Sequence, residues 1–166
     1  MSDVLTAQNL RKDYGQFQAL RDLSIHVPRG CIYGLVGRNG AGKTTLIRIV
    51  CGLQRPTAGS YALYGVDSGE GEIVNVRRHM GAMVEGPSVY LDLTAEENLR
   101  EQFRVLGKTP ARGIRPLLEL VGLEGTGRKK VRHFSLGMRQ RLGIAVALAG
   151  SPDFLILDEP MNGLDP

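Results

Sequence analysis

The sequence predicts a mainly parallel α/β fold with an antiparallel β layer near the N-terminus and a helical insertion. Polar and apolar side chains alternate in residues 22–27, which indicates a strand with one buried face. Residues 31–36 and 154–157 are short apolar runs, which are typical of buried parallel strands. Amphipathic helical patterns lie between these two runs.

The N-terminal elements follow from local patterns. Residues 3–10 are expected to form the antiparallel neighbour of the strand at 22–27. Leu46, Val50 and Leu53 fall at positions i, i+4 and i+7, and this spacing predicts an amphipathic helix.

Two more helices are predicted further along the chain. Thr94 can cap a helix, because Glu97 three residues later completes a capping box, and residues 98–106 would continue it. Apolar residues at helical spacing predict the other helix: Leu142, Val146 and Ala149.

Composition restricts the function classes. The chain has 166 residues, 42% of them hydrophobic and 23% charged, which suits one soluble globular domain. The net charge of +4 is mild and no basic cluster stands out, so a solvated surface explains it better than nucleic-acid binding. The start lacks a signal-peptide pattern, and no apolar run approaches the ~20 residues that span a bilayer. Any membrane role would then require a partner.

The two cysteines have no metal-type spacing. Cys31 and Cys51 each lie in apolar sequence, and we interpret both as small buried side chains. Nothing suggests a disulfide framework, so a reducing compartment is expected.

Residues 37–44 match the pattern G-x-x-x-x-G-K-[ST] in full. Small residues let successive backbone N–H groups point inward as an anion-binding nest, and a helix beginning near Lys43 adds its positive end. Lys43 can reach the β- and γ-phosphates, and the Thr44 hydroxyl can ligate Mg²⁺. The alternative is a plain glycine-rich turn. The expected phosphate-binding residues are Gly37, Arg38, Asn39, Gly40, Ala41, Gly42, Lys43, Thr44 and Thr45.

A second motif places two carboxylates after the apolar run at 154–157. Ligands of α/β sheets bind at the carboxyl ends of the strands. Asp158 is placed to hold the Mg²⁺ shell, directly or through water. Glu159 is placed to orient or deprotonate an attacking water. Alone, the motif could equally be a strand that ends in a polar turn.

From residue 3 to residue 166 the sequence resembles the ATP-binding subunit of an ABC transporter, which implies a P-loop NTPase (RecA-like) core. Residues 134–138, Phe-Ser-Leu-Gly-Met, stand where the family usually has Leu-Ser-Gly-Gly-Gln. The resemblance implies that Ser135 and Gly137 contact the γ-phosphate bound by the opposite subunit. Leu136 and Met138 depart from the family pattern.

The resemblance also implies roles for three further residues. Tyr14 matches the aromatic residue that stacks on adenine. Glu85 occupies the position of a glutamine that senses Mg²⁺ and the attacking water, so it is a catalytic and metal-site candidate. Asp165 matches an aspartate that lies across the dimer interface and couples the two sites. Glu85 and the altered signature resemble the exporters linked to bacitracin and lantibiotic resistance.

The implied assembly pairs this chain with a second ATP-binding subunit, in a homodimer, and with a transmembrane permease subunit. ATP and Mg²⁺ are the implied cofactors, and the implied location is the inner face of the cell membrane, peripheral on its cytoplasmic side. No nucleic-acid partner is expected. The alternatives are a non-catalytic or inactive fragment and a soluble ABC-type ATPase outside transport, such as a DNA-repair or translation-linked one. A GTPase is disfavoured because the sequence has no Asn-Lys-x-Asp motif.

The resemblance predicts that residues 1–166 form an incomplete ABC-type ATP-binding domain with a helical insertion at about 88–150. The family continues beyond residue 166 with C-terminal strands and a switch histidine, which no histidine of this chain matches. The missing strand lies between the phosphate-loop strand and the acidic strand. Its absence would leave ladder groups unpaired, at about 1–3 kcal/mol for each buried group, so an isolated fragment is expected to be unstable and poorly active.

Overall fold

The computed structural model describes residues 2–110 and 113–162. These residues divide into two compact units, with the boundary between His79 and Met80. Each unit has its own sheet.

The first unit is built on a four-stranded antiparallel sheet. Its strands are β1 (Asp3–Tyr14), β2 (Phe17–Pro28), β3 (Ala58–Leu63) and β4 (Val66–Asp67), in the order β2-β1-β3-β4. The predicted antiparallel pair is confirmed, but both strands are longer than predicted. A two-residue turn at Gly15, which has a φ of +58°, closes a tight hairpin and allows Tyr14 to pair with Phe17. The predicted alternation also holds in β2, since Val27 is buried while His26 is exposed.

Helix α1 (Lys43–Val50) follows the predicted phosphate loop. It buries Leu46 and Val50, as the spacing predicts. Leu53 does not belong to it, and its side chain is exposed. The helix ends because Gly52 adopts a left-handed conformation with φ +78°, which is a common helix stop. A short helix, α2 (Ile73–Val76), comes near the end of this unit.

The predicted buried strand at 31–36 is wrong. In the structure these residues form no strand, and the side chains of Ile32 and Val36 are 103% and 94% exposed. A strand needs a neighbour to complete its hydrogen-bond ladder. None of the described strands pairs with this run. Cys31 is therefore exposed, contrary to the prediction, and its Sγ donates to the Pro28 carbonyl at 3.1 Å.

We expect the two thiols to differ in reactivity. Burial raises the pKa of the Cys51 thiol to about 11, and the nearby charge of Arg77 opposes this only in part. Cys51 thus stays protonated at neutral pH, whereas the thiolate is the reactive form. Iodoacetamide at neutral pH should label Cys31 first, and the Cys51 rate should climb as pH approaches 11, as peptide mass spectrometry can follow. Faster labelling of Cys51 at neutral pH would contradict this environment.

The second unit contains a two-stranded parallel sheet. Strands β5 (Met80–Met83) and β6 (Phe154–Leu157) pair in register, from Met80 opposite Phe154 to Met83 opposite Leu157. The predicted strand at 154–157 is confirmed. It is half-buried rather than fully buried, because β5 is its only partner among the described strands.

Three helices form the core of this unit: α3 (Ala95–Val105), α4 (Ile114–Leu120) and α5 (Leu136–Leu148). The capping box of α3 is confirmed. Thr94 Oγ1 accepts from the Glu97 N–H at 3.1 Å, and the Thr94 N–H donates to Glu97 Oε2 at 2.7 Å. The hydrogen bond from the Thr94 backbone N–H lowers the pKa of the Glu97 carboxyl, and a hydrogen bond from the Lys130 side chain lowers it further. The helices pack around a shared set of buried side chains that includes Leu99, Phe103, Leu118, Leu123, Val131, Phe134 and Leu142.

All three helices fall within residues 88–150, the range predicted as a helical insertion. That this range is an insertion within a larger nucleotide-binding domain stays a prediction. No helix in the described part of the chain is both long and apolar enough to cross a membrane.

Candidate functional site

The predicted phosphate loop lies at the exposed N-terminal end of α1. The Ala41 N–H donates to the Arg38 carbonyl at 3.1 Å and closes a turn, and Gly40 and Gly42 have φ values of +81° and +87°. Asn39 and the rest of the run from 37 to 41 are exposed. The first turn of α1 contains no acidic residue that would compensate the positive end of the helix dipole. This arrangement suits a bound anion.

Lys43 folds back over this loop. Its Nζ donates to the Gly37 carbonyl at 2.7 Å and to the Arg38 carbonyl at 3.0 Å. The ammonium group is therefore held above the backbone that is predicted to receive phosphate. Phosphate oxygens can replace neutral carbonyls as its partners, since charge-assisted hydrogen bonds are stronger than neutral ones. Thr44 and Thr45 follow in the first turn of α1, and both are half-buried.

Gly42 is required by both its conformation and its neighbours. A Cβ at this position would lie 2.4 Å from the Ala19 carbonyl oxygen and 2.7 Å from Leu20 Cδ2. The left-handed φ of +87° adds strain for any side chain. The loop can therefore approach β2 only where the sequence has glycine.

We predict that Gly42→Ala destabilises the protein. The left-handed backbone alone costs about 1–2 kcal/mol for alanine, and relieving the collision with Ala19 must displace the loop. Urea unfolding should report a clear loss in the free energy of unfolding. Gly30→Ala is a matched control, because Gly30 has a φ of +71° with open space around its Cβ position. Equal losses in the two variants would show that the collision contributes nothing.

Tyr14 lies at the end of β1 in the same unit as the phosphate loop, and it is 42% exposed. Its hydroxyl donates to Gln54 Oε1 at 2.6 Å. Lys12 Nζ lies over the ring, 5.3 Å from its centroid. An exposed ring held at its hydroxyl is a suitable stacking surface for a base.

The predicted catalytic carboxylates are in the second unit. The Asp158 N–H donates to the Met83 carbonyl at 2.9 Å, so the ends of β5 and β6 are aligned. Glu85, Asp158 and Glu159 consequently follow the carboxyl ends of two paired parallel strands, at one edge of the sheet. Asp158 is only 7% exposed, and Glu85 has a left-handed φ of +63°.

Glu159 is held from two sides. Its carboxylate accepts a hydrogen bond from Asn162 Nδ2 at 2.5 Å. Gln140 Nε2, on α5, donates to the backbone carbonyls of Glu159 and Pro160 at 3.4 and 3.2 Å. Glu159 itself has a φ of +47°. Non-glycine residues in this conformation cluster at functional sites. Gln140 and the Asn162 side chain have no role that sequence patterns predict.

The altered signature begins helix α5. Ser135 is its N-cap, and Ser135 Oγ accepts from the Met138 N–H at 3.2 Å. Leu136 is exposed, and half-buried Gly137 follows it in the first turn. The Ser135 hydroxyl accepts this bond and can still donate its own proton to a ligand. The first turn of α5, which follows it, has no acidic residue. Asp165 lies outside the residues that the structure describes.

The residues present fit a magnesium nucleotide. Among the described residues, no cluster of three or more histidine, cysteine or carboxylate side chains could hold a metal ion. Mg²⁺ usually takes one or two carboxylates and completes its shell with substrate phosphates and water. Each unit, taken by itself, has a ligand of the right type: the buried carboxylate of Asp158 in the second unit and the hydroxyl of Thr44 in the first.

Comparison with known proteins agrees with these features. Residues 20–162 match the family model described as ABC transporter. The chain is 46% identical, over its whole length, to a bacitracin transport ATP-binding protein of Bacillus licheniformis, of which it covers 54%. It is 42% identical over 163 residues to a lantibiotic transport ATP-binding protein of Streptococcus pyogenes, covering 98% of this chain and 69% of the relative.

A solved structure titled "Structure of ATP binding subunit of ABC transporter" matches with a TM-score of 0.86 at 36% identity. The match covers 98% of this chain and 69% of that one. The predicted α/β fold with a P-loop NTPase core is confirmed. The chain spans about half the length of the bacitracin-transport relatives that it matches. With a family match over most of its residues, this chain belongs to the ABC transporter family.

Proposed function

We propose that this chain binds Mg-ATP and contributes to its hydrolysis as part of the energy-coupling subunit of an ABC transporter. The observation that most supports this is the phosphate loop. There an exposed glycine-rich loop, residues 37–41, leads into a helix whose first turn has no acidic residue. Lys43 already lies over that backbone with its ammonium group on two carbonyls.

The proposed roles follow from the type and position of each side chain. Lys43 neutralises charge on the β- and γ-phosphates, and the loop amides from 37 to 45 bind the remaining phosphate oxygens. Thr44 and Asp158 are the proposed magnesium ligands, and Glu85 is proposed to lie in the coordination shell of the metal. The metal, when bound, neutralises charge that develops on the phosphates. Tyr14 offers its ring to the adenine.

Glu159 is the proposed general base. A carboxylate can accept the proton of a water that attacks phosphorus. The Asn162 amide fixes the direction of this carboxylate, and Gln140 fixes the backbone that carries it. Glu159 therefore starts the reaction from one defined position instead of sampling several rotamers.

The proposed assembly has a second ATP-binding subunit and a transmembrane permease. Ser135 and Gly137 would donate to the γ-phosphate bound by the opposite subunit, from the exposed start of α5. Asp165 is proposed to lie at the same interface. The permease would hold the subunit at the inner face of the cell membrane.

The proposed cargo is a peptide antibiotic of the bacitracin or lantibiotic type. Two relatives named for these substrates are 46% and 42% identical to the chain. Glu85 and the Ser-Leu-Gly-Met signature add residues that resemble the same exporters.

Stimulation of ATP hydrolysis tests the proposed function. The intact subunit, meaning the whole polypeptide in which this chain occurs, would be assembled with its permease in membrane vesicles. Bacitracin or a lantibiotic should raise the rate of phosphate release, and an unrelated peptide of similar charge should not. Hydrolysis that neither antibiotic raises would contradict the cargo. The absence of any hydrolysis would contradict the ATPase activity itself.

A further inference from the structure

The segment that carries Tyr14 is bound to the segment that follows α1. Tyr14 Oη donates to Gln54 Oε1 at 2.6 Å, and the Asp13 N–H donates to Thr57 Oγ1 at 3.0 Å. Lys12 Nζ donates to the Arg55 carbonyl at 2.8 Å. These three hydrogen bonds fix the end of β1 against residues 54–57.

Gln54 is itself anchored to α1. Its N–H and that of Leu53 donate to the Arg48 carbonyl, at 3.3 and 2.8 Å. Arg48 lies in the last turn of the helix that begins at Lys43. The position of the Tyr14 hydroxyl is thereby tied to the helix that starts at the phosphate loop.

Lys12 fixes one face of the ring. Its ammonium lies 5.3 Å from the Tyr14 centroid, over the ring, while its bond to Arg55 holds it there. A cation in this place is attracted to the negative face of the aromatic ring. Tyr14 is nevertheless 42% exposed, so part of its surface remains open to a ligand.

We propose that Gln54 and Lys12 are positioning residues for the nucleotide base. Gln54 locks the Tyr14 ring through its hydroxyl, and Lys12 covers one face, so that the other face is presented to adenine. This inference rests on the proposed function, in which Tyr14 stacks on the base. The benefit is preorganisation, because a ring that is already ordered loses less conformational entropy when the ligand binds.

The test separates binding of the base from binding of the phosphates. Affinities of the intact subunit for Mg-ATP and for Mg-tripolyphosphate, which has no base, would be measured by calorimetry. Gln54→Leu removes the acceptor and should weaken ATP binding about three- to tenfold, the range of one net hydrogen bond. Tripolyphosphate binding should not change. Gln54→Glu keeps an acceptor oxygen and should retain the affinity for ATP.

Further variants test the roles of Tyr14 and Lys12 and supply a control. Tyr14→Phe removes the donor and should match Gln54→Leu, and the double variant should lose no more than either single one. Lys12→Met should weaken ATP binding about two- to fivefold, as expected for an exposed cation–π contact. Gln8→Leu changes an exposed glutamine on β1 and serves as the matched control.

Each outcome decides something. Equal weakening of both ligands in Gln54→Leu would overturn the inference, because the residue would then support α1 and the loop rather than the base. Unchanged ATP affinity in Gln54→Leu would also overturn it while leaving the phosphate loop intact. If the wild-type subunit binds neither ligand, the proposed function fails instead.

Discussion

Glu159→Gln in the intact subunit is expected to reduce ATP hydrolysis about 10²- to 10⁴-fold, the usual contribution of a general base. The amide cannot accept a proton from water. Its oxygen can still accept the hydrogen bond from Asn162, so the geometry of the loop should persist. Mg-ATP binding should therefore be retained, and the nucleotide should hold two subunits together.

Phosphate release and nucleotide titration would measure the two effects separately, and light scattering would detect the dimer. Glu124→Gln makes the same chemical change at an exposed position in the same unit. It should change neither the rate of hydrolysis nor the affinity for Mg-ATP. An unchanged rate in Glu159→Gln would remove this residue from the role of base. A lost affinity would indicate that it binds nucleotide rather than activating water.

Lys43→Ala is expected to weaken Mg-ATP binding by about 10- to 150-fold. Hydrogen bonds to charged groups contribute about 1.5–3 kcal/mol, and the Lys43 ammonium, which now lies on the Gly37 and Arg38 carbonyls, is placed to form them. The loss should appear equally with Mg-tripolyphosphate, because the lysine interacts with phosphate and not with the base.

Arg78→Ala removes a positive charge from an exposed position in the same unit and controls for a general electrostatic effect. A titration that gives Lys43→Ala the wild-type affinity would count against the phosphate-loop role. Circular dichroism of both variants would verify that the fold is retained.

The elements that the sequence predicts well are those whose cause is local. The capping box of Thr94 and Glu97 needs only two side chains three residues apart, and it forms as predicted. The antiparallel pairing of β1 with β2 is equally local. The pattern of the phosphate loop is also local, contained within residues 37–44, while phosphate binding there stays a prediction.

The failures arise where residues outside the apolar pattern decide the structure. Residues 31–36 have the composition of a buried strand, but their backbone finds no ladder partner among the described strands, so Ile32 and Val36 are exposed. Leu53 matches the period of α1 but follows Gly52, whose left-handed backbone ends the helix. The period of apolar residues predicts which face of a segment would be buried. It does not predict whether another element packs against that face.

The supporting residues of the site were also beyond sequence patterns. Gln140 and Asn162 fix Glu159, and Gln54 fixes Tyr14. The Gln140 and Gln54 contacts depend on the packing of separate elements, whereas Asn162 reaches Glu159 within one turn. Gln140 is buried on α5, and a buried polar side chain requires hydrogen-bond partners, but that burial is known only from the structure.

Calorimetric titration of the intact wild-type subunit with Mg-ATP tests most directly whether the loop around Lys43 binds a triphosphate. Saturable heat with a stoichiometry of one nucleotide per subunit is the predicted result, and Mg-tripolyphosphate should compete for the same site. If the folded subunit produced no heat of binding with either ligand up to millimolar concentration, the loop would not be a nucleotide site and the proposed function would be wrong.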